Sequence, residues 1–125
     1  MAEDAPEPER HREGLFIRVY FGDGRFLGPG KIELLEAVRA SRSILGAARA
    51  MGMSYRRAWL LIDEIGRMFD QPVVATFPGR RGHGTELTAF GERVIALYHA
   101  VEQESARASA PAIAELKARL APPQR

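Results

Sequence analysis

Residues 43–62, SILGAARAMGMSYRRAWLLI, constrain the fold of this chain more than any other segment. Small side chains at Ala47 and Ala48 mark a place where two helices approach closely. Gly52 follows where the backbone must reverse, and Ser54 opens a second helix that begins with Tyr55, Arg56 and Arg57. This is the internal spacing of a helix-turn-helix, whose second helix presents its first turn to the edges and phosphates of DNA. Ala48, Gly52 and Ala58 fall on three sterically restricted positions of such a motif, although an unrelated helical hairpin would satisfy them too.

The flanking segments extend the motif. LFIRVYF (15–21), the turn GDG and RFL (25–27) read as a short β-hairpin or paired strand, and GPG then introduces a first helix over 31–40. Ile32, Leu35 and Val38, joined by Leu34, should face its core side. Ser43 caps a short helix, Gly52 ends it, and Ser54 caps a third helix over 55–69. The buried face of that helix is Ala58, Leu61, Ile62, Ile65 and Phe69, with Arg56, Arg57, Leu60, Asp63, Glu64 and Arg67 opposite. PVVATF (72–77), the glycine-rich loop PGRRGHG and TEL (85–87) describe two short strands around a basic tip, which is a wing. Thr88 caps a long helix over 89–109. Pro111 breaks or restarts the pattern, and a last short helix covers 113–120. The expected organisation is a disordered tail over 1–13, a winged helix-turn-helix domain over 14–110, and a short C-terminal helix and tail over 111–125. The fold class is mainly α with small β (α+β).

Composition excludes several classes. The 125 residues contain no cysteine, so no disulfide framework or thiolate metal site exists in this sequence. No apolar run approaches the ~20 residues that cross a bilayer, and the acidic start lacks the order of a signal peptide. A soluble, cytoplasmic protein with no membrane partner is expected. His11, His83 and His99 are scattered, and the carboxylate pairs Asp63/Glu64 and Glu102/Glu104 belong to exposed helix faces. No catalytic constellation can be assembled, so the chain is not read as an enzyme and no metal site is assigned.

Net charge is only +2, but it is segregated. Residues 37–62 hold no Asp or Glu, while Arg39, Arg42, Arg49, Arg56 and Arg57 contribute five positive charges. Arg80, Arg81 and His83 form a second basic cluster at the wing tip. A polyanion favours this arrangement because each neutralised phosphate releases counterions. An arginine at the start of the third helix can bond bidentately to guanine O6 and N7, discriminating by ~1–3 kcal/mol. Arg56 and Arg57 are the candidate contacts there, and Tyr55 either holds a phosphate or stacks on Trp59, which is read as structural. Arg42, Ser43 and Arg49 would hold phosphates, and Arg80, Arg81 and His83 would set the wing along the backbone or in the minor groove. A stripe of Phe90, Val94, Leu97, Tyr98 and Val101 on the long helix is wide enough for both the chain's own core and a second copy.

GPGKIELLEAV, GAARAMGMSYRRAW, PGRRGHGTELT and FGERVIALY together resemble the N-terminal domain of the ModE-type molybdenum-responsive transcriptional regulators, across residues 31–105. The helix-turn-helix and the LTxxG run are shared with the wider LysR-like winged-helix group. The resemblance implies a homodimer joined through the helix after the wing. It also implies DNA contacts at Ser54, Tyr55, Arg56, Arg57, Arg80 and Arg81. Full-length members carry C-terminal molybdate-binding modules for which this sequence leaves no room, so no cofactor is expected, with molybdate implied by the resemblance alone. The resulting expectation is a homodimeric transcriptional regulator reading a pseudo-palindromic site in double-stranded DNA. Its alternative is a small ligand-sensing or protein-interaction module of the same fold that does not bind DNA.

Overall fold

The computed structural model describes residues 12–77 and 84–124. Helix α1 (Pro29–Ser41) starts two residues before the expected boundary, because Pro29 has its φ already fixed and its missing N–H is no loss in a first turn. It ends at Arg42, which adopts a left-handed conformation (φ 59°) and donates its N–H to the Val38 carbonyl at 2.7 Å. Helix α2 (Ile44–Met51) is capped by Ser43, whose Oγ accepts from the Gly46 N–H at 2.8 Å. Gly52 closes α2 at φ 69°, as its place in the motif requires. Ser54 then caps α3 (Tyr55–Met68) by accepting from the Arg57 N–H at 3.1 Å.

Three alanines let these helices meet. Ala47, Ala48 and Ala58 are buried with Leu34, Val38, Ile44 and Ile62, forming the core of the helix-turn-helix. A second cluster joins Ile32 and Leu35 of α1 to Ile65 and Met68 of α3 and to Val94, Ile95 and Tyr98 of the last helix. Burying each large aliphatic side chain contributes roughly 1.5–3 kcal/mol. Met68 takes the deeply buried position expected of Phe69, which is half-buried and pairs edge-on with Phe90 at 5.5 Å.

The wing strands β3 (Val74–Thr76) and β4 (Thr85–Leu87) pair antiparallel, with Val74 opposite Leu87 and Thr76 opposite Thr85. The basic tip lies outside the described residues. The leading hairpin is shorter than its composition suggests: β1 (Val19–Tyr20) pairs, among the described residues, only with β2 (Phe26–Leu27). Residues 15–18 have no partner strand among the described residues, because the returning strand runs directly into Gly28 and Pro29. Instead the Ile17 carbonyl accepts from the Tyr98 hydroxyl at 2.6 Å, and the Arg12 guanidinium lies 4.0 Å over the Phe16 ring. Arg12 and Glu13, expected in a disordered tail, are placed: Glu13 meets Lys117 at 2.6 Å.

Helix α4 (Ala89–Ala118) corrects the expected break at Pro111. A proline removes one backbone hydrogen bond, but Arg107, whose carbonyl loses its partner, is exposed to water. The helix therefore continues for 30 residues. Its start is fixed by Thr88, whose Oγ1 accepts from the Gly91 N–H and donates to the Pro72 carbonyl at 2.7 Å. No helix among the described residues is long and apolar enough to cross a membrane.

Candidate nucleic-acid interface

The first turn of α3 carries no acidic residue, and Tyr55, Arg56 and Arg57 are all exposed there. Arg49, exposed in the last turn of α2, joins them. Among the described residues, no ion pair engages Arg49, Arg56 or Arg57. The helix dipole adds partial positive charge at this same end. Free guanidiniums beside a helix N-terminus form an anion-seeking surface.

Other candidate residues are more committed. Arg42 meets Glu86 of β4 at 2.6 Å, and its carbonyl accepts from the Thr85 N–H at 3.2 Å. It thus joins the end of α1 to the base of the wing. The hydroxyls of Ser43 and Ser54 accept from backbone N–H groups as helix caps; Ser43 is half-buried and Ser54 exposed. Arg80, Arg81 and His83 fall outside the described residues.

Trp59 departs from the expectation of a structural residue: it is 46% exposed. It lies one residue past the buried Ala58, about 100° around the helix, which takes it off the core face. Leu60 beside it is 48% exposed. Among the described residues, the Tyr55 and Trp59 rings are not stacked on each other.

The stripe on α4 divides. Val94 and Tyr98 are buried in the chain's own core and Phe90 is half-buried, while Leu97 and Val101 remain 48% and 42% exposed. These two border an open apolar groove of about 220 Å³ between α4 and the hairpin, which Val19 and Phe21 line on the other side.

Braces not anticipated from sequence orient α3. Lys31, buried in α1, reaches Glu64, and Arg25 donates to the Met68 carbonyl at 2.9 Å. Arg25 also binds Asp23, whose carboxyl it holds down to about 2. On the far side of α1, His99 of α4 bridges two carboxylates: Nε2 lies 2.8 Å from Glu36 and Nδ1 2.6 Å from Glu102. These hydrogen bonds, Glu36 first, raise the imidazole above its ordinary value of 6.5. No group of three His, Asp or Glu side chains suited to a metal ion occurs among the described residues.

Three helices packed around alanines, a strand pair after the third and a long closing helix define a winged helix-turn-helix. No family model matches the chain. It is 42% identical over 82 residues to the molybdenum transport protein ModE of Azotobacter vinelandii, covering 65% of this chain and 30% of that protein. It is 39% identical over 80 residues to the molybdenum-pterin-binding protein MopB of Rhodobacter capsulatus, covering 63% and 30%. To the DNA-binding transcriptional dual regulator ModE of Escherichia coli K12 it is 35% identical over 79 residues, covering 62% and 30%. The resemblance to ModE-type regulators expected from the motifs is borne out. The chain spans about 30% of the length of these relatives, which are named as regulators or as molybdenum-linked proteins.

Proposed function

We propose that this chain is a DNA-binding transcriptional regulator, working as a homodimer on a pseudo-palindromic duplex site. The observation that carries the reading is a set of exposed arginines that no ion pair engages among the described residues: Arg49 in the last turn of α2, and Arg56 and Arg57 in the first turn of α3. In this reading α3 enters the major groove, with Tyr55, Arg56 and Arg57 at base edges and phosphates. Arg42, Ser43, Arg49 and Ser54 hold the adjoining backbone, and Arg80, Arg81 and His83 bring the wing beside it. Residues 14–110, together with the rest of α4, act as one domain that needs no cofactor and catalyses no reaction.

The similarity to a protein named a DNA-binding regulator supports this reading, and the apolar groove beside Leu97 and Val101 supports a second copy docking on α4. A two-fold dimer reads two half-sites, which raises affinity over a lone winged domain. Selection of binding sites from random duplex DNA at fixed salt tests the proposal, with and without molybdate. The expected product is an inverted repeat whose half-sites lie about 10 base pairs apart or a multiple of that. A pool with no enriched sequence would overturn it.

A further inference from the structure

The exposed side of α3 is more apolar than a solvent-facing helix needs. Its buried face is complete without Trp59 or Leu60: Ala58, Ile62, Ile65 and Met68 fill the core. Trp59 belongs to neither buried cluster, and among the described residues its indole has no ring partner and makes no hydrogen bond. It stands one turn beyond Tyr55 and three residues beyond Arg56, and Leu60 stands four beyond Arg56, so the Arg56 guanidinium neighbours both large apolar side chains. Contiguous exposed apolar side chains on a monomer mark a contact surface. Here the patch continues the arginine surface and lies on α3, away from the groove on α4.

Resting on the DNA-reading proposal, we propose that Trp59 is a specificity-determining residue that packs its indole against the C5-methyl group of a thymine in the major groove. That methyl is the one apolar group which base pairs present there. Arg56 supplies the charge-assisted contact and Trp59 the apolar one. Three residues of helix advance about 4.5 Å, and base pairs rise ~3.4 Å each. The thymine therefore lies one or two base pairs from the guanine that Arg56 reads.

Thymine-to-deoxyuridine replacement removes only the methyl group. Each thymine of the selected site is replaced in turn, and binding of the wild type, Trp59→Ala and Trp59→Phe is measured at one salt concentration. The expected wild-type result is a loss of about four-fold at one thymine per half-site. Trp59→Ala should bind the thymine and deoxyuridine forms of that position equally, keeping the wild-type salt dependence, and Trp59→Phe should recover part of the discrimination. As the chain's sole tryptophan, Trp59 also reports directly: its fluorescence should be shielded from acrylamide by the selected duplex. Equal sensitivity of wild type and Trp59→Ala to every replacement overturns this assignment and leaves the DNA-reading proposal standing. A wild type that binds no duplex overturns both.

Discussion

The ammonium of Lys31, 6% exposed, lies 2.6 Å from a carboxylate oxygen of Glu64, whose side chain is half exposed. The lysine also donates to the Phe26 carbonyl at 3.0 Å and sits 3.6 Å over the Phe26 ring. One side chain thereby fixes α1, α3 and the hairpin to one another. Removing the partially solvated partner should cost less than removing the buried one. Glu64→Ala is expected to destabilise by about 1 kcal/mol, and Lys31→Ala by about 2–3 kcal/mol because its packed stem is lost too. Urea unfolding of both variants and the double variant checks the difference and the coupling.

His99 makes stability depend on pH. Glu36 from α1 and Glu102 from its own helix favour the imidazolium, while Arg39, 3.8 Å from Glu36, competes for the same carboxylate. A value raised above 6.5 in the folded state means the contribution is full below that point and is lost as pH rises through the folded value. Wild type should therefore exceed His99→Gln in stability at about pH 5.5, and the gap should narrow by about pH 8.5. Denaturant midpoints across that range are the measurement. A gap that widens with pH would contradict the assignment.

The division of the α4 stripe separates association from folding. Leu97→Glu and Val101→Glu should weaken the proposed dimer and leave the melting temperature of the domain near wild type, since both side chains are exposed. Tyr98→Phe should act on the fold alone, losing the bond to the Ile17 carbonyl at a cost of about 1 kcal/mol. Sedimentation at roughly tens of micromolar, paired with thermal melts, distinguishes the two effects.

Two glycines should respond oppositely to alanine. A Cβ on Gly91 would stand 2.2 Å from the Val73 carbonyl oxygen, so Gly91→Ala must push α4 off the wing and should cost about 2–3 kcal/mol. Nothing lies within 4 Å of a Cβ on Gly66, inside α3. Gly66→Ala should stabilise by about 0.5–1 kcal/mol through helix propensity. Thermal unfolding of the two variants should move in opposite directions.

What the sequence made legible was local. The caps Ser43, Ser54 and Thr88, the reversal at Gly52 and the alanine contacts each depend on a few neighbouring residues, and all stand as expected. The departures came from distance or from context. Burial of Lys31 depends on Glu64, 33 residues away, and the His99 bridge on Glu36, 63 residues away; neither pairing leaves a periodic signal. Pro111 is a local breaker, but its effect depends on whether the freed carbonyl is dry, which only the packing decides. Residue type alone makes Trp59 structural, whereas its angle from Ala58 puts it off the core face.

The proposed regulator depends on Arg56 and Arg57 meeting DNA. The most direct measurement is the salt dependence of duplex binding for wild type, Arg56→Ala, Arg57→Ala and the double variant, with folding confirmed by circular dichroism. Each substitution should weaken binding roughly ten-fold, and each lost phosphate contact should reduce the slope of log K against log salt by about 1. Folded variants that bind as tightly as wild type, with the same slope, would contradict the account.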